Sequence, residues 1–94
     1  METQGRFFIS ENTIMYLSPR SRNAAIIVID LMRFSKGSDL SDIAQRQELR
    51  DVYTRKILAL LVRAGIAKKV RRKFYLGKPV DQFTFVAIRR AMKL

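Results

Sequence analysis

At Gly65 the hydrophobic pattern of this chain changes period. Before it, apolar side chains recur at helical spacing; after it they fall into two short runs that read as strands. From Asp51 to Ala64, Thr54, Ile57, Leu58 and Leu61 fall on one side of a helix. Val52, Arg55, Lys56, Ala59 and Arg63 fall on the other. A glycine immediately beyond is the usual helix terminator, because it adopts a left-handed conformation at little cost. Ile66–Val70 and Phe74–Leu76 then predict a β-hairpin with Arg71-Arg72-Lys73 at or near its tip. Gly77-Lys78-Pro79 ends its second strand.

The segments upstream fit the same plan. Leu40, Ile43 and Ala44 predict the inner face of a short helix over about Leu40–Gln47. Asp39 is its expected cap, and Asp42 favours the positive end of its dipole. Glu48-Leu49-Arg50 has room only for a tight turn. Ser18-Pro19 is a strong helix start, with serine at the cap and proline at the first helical position. Ala24, Ile27, Val28, Leu31 and Met32 supply a core face for a helix reaching about Phe34, followed by a turn over Ser35–Ser38. Thr13–Leu17 reads as a short strand. After Phe83, Thr84 is expected to cap a last helix carrying Phe85, Val86, Ile88, Ala91 and Met92. The sum is a mainly α chain with a small β-hairpin: a single winged helix-turn-helix domain over 1–94. Residues 1–17 form an N-terminal extension, 39–64 the helix-turn-helix and 66–77 the wing.

Composition removes most chemistry. The chain has no cysteine and no histidine, and only 8 Asp and Glu residues. Disulfides, thiolate nucleophiles, histidine bases and the common zinc and iron–sulfur sites are thereby excluded. No cofactor, no metal and no enzymatic activity are expected, and no small-molecule effector is evident. No long uncharged apolar run predicts a membrane span. The first residues lack a secretory layout, so the expected location is the cytoplasm.

Charge is the positive signal. The formal net charge is +11. Residues 1–45 balance, whereas eleven of the 19 basic side chains lie between Arg46 and Lys78, opposed only by Glu48 and Asp51. Such concentration favours a polyanionic partner over a merely solvated surface. In a helix-turn-helix the second helix of the pair enters the major groove, where arginine and lysine donate to base edges and apolar groups meet the thymine methyl. The candidate reading residues are Arg50, Val52, Tyr53, Arg55 and Lys56, with Arg63 further along the same helix. Lys68, Lys69, Arg71, Arg72 and Lys73 of the hairpin are candidates for phosphates or a narrow minor groove. The aromatic residues Phe7, Phe8, Phe34, Tyr75, Phe83 and Phe85 lack the spacing of base-stacking platforms and are assigned to core or interface.

Three stretches also carry a resemblance: LSDIAQRQ (40–47), KILALLVRAGIAKKVRR (56–72) and YLGKP (75–79). Together they resemble the bacterial winged-helix repressors of the iron–sulfur-cluster-regulator and nitric-oxide-sensitive-repressor family. Arg63-Ala64-Gly65-Ile66 resembles the end of that family's recognition helix, Leu76–Pro79 its strand after the wing, and Phe83-Thr84-Phe85 the start of its next helix. The resemblance implies a dimeric transcriptional repressor on a palindromic operator. It would place groove-reading residues at Arg50, Val52, Tyr53 and Lys56, and the wing arginine at Arg71 after Val70. The sequence departs from the family in four places. The cluster cysteines are missing, the glycine-rich wing is shortened to Arg72-Lys73-Phe74, and Glu48 stands where a turn glycine is usual. The long C-terminal dimerisation helix has no counterpart before Leu94, so residues 1–17 are a candidate substitute interface.

The sequence thus predicts a double-stranded-DNA-binding regulator acting as a homodimeric repressor. Two alternatives stay open on the same charge pattern: an RNA-binding or architectural nucleic-acid protein, and a winged-helix module that binds an acidic protein.

Overall fold

A computed structural model describes residues 18–93. The expected strand at Thr13–Leu17, and Phe7 and Phe8, lie outside the described residues. Within them the order is α1 (Pro19–Arg33), β1 (Ser38–Asp39), α2 (Leu40–Arg46), α3 (Asp51–Arg63), β2 (Ala67–Val70), β3 (Lys73–Leu76) and α4 (Thr84–Met92).

The ends of the helices follow from local chemistry. Ser18 caps α1, its Oγ accepting from the Ser21 N–H at 3.1 Å, and Pro19 takes the first helical position, where no intrahelical donor is lost. Helices α2 and α3 stop in the same way. The Leu49 N–H donates to the Ala44 carbonyl at 2.9 Å, and the Ile66 N–H to the Leu61 carbonyl at 3.0 Å. Each closure needs one left-handed residue, Glu48 (φ 54°) in the first case and Gly65 (φ 80°) in the second. Asp39 occupies the cap position of α2, but its side chain makes no capping hydrogen bond, contrary to expectation. Its backbone belongs instead to β1, which fixes it beside the sheet. Thr84 is the first residue of α4 rather than its cap. Its Oγ1 accepts from the Asp81 N–H at 2.8 Å, and Asp81 Oδ1 accepts from the Phe83 N–H at 2.8 Å.

The sheet has three antiparallel strands in the order β1-β3-β2. The sequence predicted only the hairpin. Strand β1 pairs Ser38 with Phe74 and Asp39 with Lys73, where a plain turn was expected. In the hairpin Val70 pairs with Lys73, so the connection is the two-residue loop Arg71-Arg72 and Lys73 already belongs to β3. Ala67 and Leu76 pair at the far end, where the Gly77 N–H donates to the Ile66 carbonyl at 2.7 Å.

One core unites these elements. Ala24, Ile27, Val28 and Leu31 of α1 meet Ile43 of α2 and Ile57, Leu58 and Leu61 of α3, with Ile66, Phe74 and Ile88 closing it. Burial of such side chains contributes about 1.5–3 kcal/mol each before chain entropy is offset. The predicted stripes of α1 and α3 are the buried ones, except that Met32 is exposed. It lies in the last turn of α1, which ends at Arg33.

Beneath the turn between α1 and α2 lies a polar knot. Asp30, 2% exposed, accepts from Arg46 Nε at 2.9 Å, Arg46 Nη2 at 2.7 Å and Gln47 Nε2 at 2.8 Å. Arg46 Nη2 also donates to Ser38 Oγ at 2.7 Å, and its guanidinium lies 3.8 Å from the centre of the Phe34 ring. The knot ties α1, β1 and the end of α2 together.

Candidate nucleic-acid interface

Helix α3 turns its stripe of Thr54, Ile57, Leu58 and Leu61 inward, so Val52, Arg55, Lys56, Ala59 and Arg63 are held outward. The buried Thr54 hydroxyl donates to the Arg50 carbonyl at 2.9 Å, so burial leaves that donor satisfied and anchors the first turn. Arg50 occupies the cap position and is exposed. Val52 is 60% exposed. Tyr53 differs from the other candidates. It is half-buried against the core, and its hydroxyl accepts from Asn23 Nδ2 at 3.0 Å. It braces α3 on α1 with only part of its ring presented.

The wing reaches α3 through one face. Side chains alternate across a strand, so register decides which cations share a side. Lys69 is opposite Phe74, and its Nζ lies 5.3 Å from the centre of that ring. Lys69 therefore faces the helix side of the sheet. Lys68, opposite Tyr75, and Lys73, opposite Val70, face the other side. The five wing cations, grouped together in the sequence, are thus divided. Arg55 of α3 and Lys69 and Arg72 of the wing line one groove with Ser41 of α2 and one acid, Asp39 of β1, whereas Lys68 and Lys73 stand on the opposite face. Arg71 sits at the loop itself with φ 59°. A non-glycine residue there carries about 1–2 kcal/mol of conformational cost, so the tip holds its arginine in a strained backbone.

Arg46, which opens the basic third of the chain, is not part of this surface. Its charge is committed to Asp30. The Asp30 carboxyl feels opposing influences: burial raises its pKa, and hydrogen bonds from Arg46 and Gln47 with the nearby arginine charges lower it. The result is a pKa below the ordinary value. The Arg46 guanidinium is correspondingly held further into its charged form, chiefly by the hydrogen bond to Asp30. Sequence reasoning passed over this network. An acid inside a buried helical stripe, 16 residues before an arginine, was the available signal.

Among the described residues no three of His, Cys, Asp and Glu gather to hold a metal, and no helix is long and apolar enough to cross a membrane.

A helix-turn-helix whose second helix is flanked by a β-hairpin on a three-stranded sheet defines the winged-helix class. No family model matches the chain, and no curated protein matches it. Among solved structures it is similar to CymR (YrzC), the global cysteine regulator of B. subtilis, at 29% identity and a TM-score of 0.73. The match covers 82% of this chain but only 63% of that one. The likeness is to a regulator, not to an enzyme.

Proposed function

We propose that this chain is a DNA-binding transcriptional regulator of the Rrf2 type, acting as a dimeric repressor on a palindromic operator. One observation carries the reading: Arg55 of the outward face of α3 shares a groove with Lys69 and Arg72 of the wing. A duplex seated there meets base-edge donors and phosphate ligands in one approach. Likeness to the CymR regulator supports the same reading.

In this reading Arg50, Val52, Arg55 and Lys56 face the major groove, with Val52 against a thymine methyl. Tyr53 contributes through its exposed edge while holding α3 in place. Arg63, Lys69, Arg71 and Arg72 take phosphates or, for one tip arginine, the minor groove. Lys68 and Lys73 add long-range attraction from the far face of the wing. One small module spans few base pairs, so specific affinity calls for two half-sites and a homodimer.

Selection of bound duplexes from a random pool tests the proposal. The expected product is an inverted repeat whose half-site centres lie about one helical turn, or a multiple of it, apart. Enrichment of no sequence over the starting pool overturns it.

A further inference from the structure

Two adjoining pockets on the outer side of α3 share Leu60 and Arg63 and so form one groove. The larger has a volume of about 640 Å³. Its floor is apolar and shallow: Ala59 and Leu60 of α3, then Ala87 of α4. Its rim is cationic: Lys56 and Arg63 of α3, and Arg90 of α4. Beside the groove, α1 and α4 are tied together by Arg20, whose Nη1 donates to the Met92 carbonyl at 3.0 Å. None of Lys56, Arg63 and Arg90 is ion-paired among the described residues.

We infer that this groove seats an acidic amphipathic helix of a partner protein. Small residues on the floor let a helix backbone approach closely, and its apolar stripe meets Leu60 while flanking carboxylates meet the rim. A second copy of the chain is disfavoured there, because an isologous contact would bring one cationic rim against another in a chain of net charge +11. DNA alone does not account for the groove, since a phosphate backbone gains nothing from an apolar floor.

The site has a regulatory consequence, which rests on the proposed DNA reading. Lys56 belongs both to the groove and to the reading face of α3. A helix seated in the groove covers it, so partner and operator exclude each other.

The probe is a synthetic helix of about 18 residues with a leucine stripe flanked by glutamates, against a lysine-flanked counterpart. Titrated into the isotope-labelled full chain, the acidic peptide is expected to give saturable amide shifts confined to residues 56–63 and 87–91. It is also expected to release a labelled duplex. Arg90→Glu is expected to weaken the peptide by about tenfold or more, while Lys36→Glu, an exposed charge reversal away from the groove, costs less than about threefold. Absence of saturable shifts in these segments overturns the inference, as do equal losses for the two variants. So does a concentration-dependent shift of the same residues without peptide, which would seat a second copy there. Retention of duplex by the peptide-saturated protein overturns the mutual exclusion. Failure to bind duplex at all, with the peptide response intact, overturns the DNA reading and leaves the groove assigned.

Discussion

Arg46 grips the carboxylate of Asp30 with two parallel hydrogen bonds, Nε to Oδ2 at 2.9 Å and Nη2 to Oδ1 at 2.7 Å. The pair is lopsided. The Asp30 side chain is 1% exposed and that of Arg46 is 29% exposed, so the acid depends on the base more than the reverse. Arg46→Ala strips a buried carboxylate of its main partner and is expected to destabilise the fold by about 3 kcal/mol. Asp30→Asn keeps the shape and leaves a guanidinium that water can still reach, so it is expected to cost less. Urea denaturation of both variants checks the order. An equal or larger loss in Asp30→Asn contradicts the asymmetry.

The same pair sets a pH dependence. Burial pushes the Asp30 carboxyl up, but the Arg46 and Gln47 hydrogen bonds and the arginine charges outweigh it, and the pKa in the folded state lies below its ordinary value. A depressed acid pKa means that the unfolded chain binds the proton more readily. The contribution is therefore complete above the unfolded-state pKa of about 3.9 and is lost as pH falls through the lower folded-state value. Unfolding free energies followed from pH 6 downward should fall less in Asp30→Asn than in the wild type. Parallel curves would remove Asp30 from the acid response.

Glu48 and Gly65 close the two helices of the motif with the same hydrogen-bond pattern, yet only one is a glycine. The side chain at Glu48 carries the cost of a left-handed backbone. Glu48→Gly removes that cost and adds back some unfolded-state entropy, for an expected net gain of up to about 1 kcal/mol. Glu48→Val is expected to lose stability, because a β-branched residue fits that conformation worst. Thermal melts of the two variants should move in opposite directions.

Gly77 supports the base of the wing for a different reason. A Cβ there would stand 2.5 Å from the Gly65 carbonyl oxygen and 3.1 Å from the Ala67 carbonyl. These are backbone atoms, which cannot rotate away. Gly77→Ala is expected to destabilise the protein by about 1–3 kcal/mol and to loosen the hairpin on α3. Amide exchange of Lys68 to Val70 faster than in the wild type is the local signature.

Much of this fold was legible because its signals are local. Ser18-Pro19 starts a helix and Gly65 ends one through their own backbone chemistry. The stripe of Thr54, Ile57, Leu58 and Leu61 needs only the helical period to be read. The caps at Asp39 and Thr84 are local misses; the larger ones are long-range. Ser38-Asp39 is too short to show a period, and becomes a strand only because β3 lies beside it. Asp30 looks out of place until Arg46 folds back over it. The division of Lys68 from Lys69 depends on register, and register depends on whether the loop holds two residues or three; a shift by one moves every side chain to the other face. The wing cations could be gathered from the sequence, but not assigned to sides.

That division predicts how the protein should hold DNA. In the proposed reading, phosphate contacts fix position and are insensitive to sequence, while donors on the outward face of α3 discriminate bases. Lys56→Ala is expected to lower affinity for the selected operator more than for random duplex, relaxing base preference by about 1–3 kcal/mol at one position. Arg72→Ala is expected to weaken both duplexes alike and to make the salt slope shallower by about one. Lys68→Ala, on the far face of the wing, should change either affinity less than Lys69→Ala, although the two are neighbours in sequence. With about six to eight phosphates contacted per complex, the wild-type log–log slope against salt should lie near −5 to −7. Equal losses for Lys68→Ala and Lys69→Ala would show that the wing attracts DNA only through its total charge. A salt slope shallower than about −2 would remove the phosphate contacts from the account altogether.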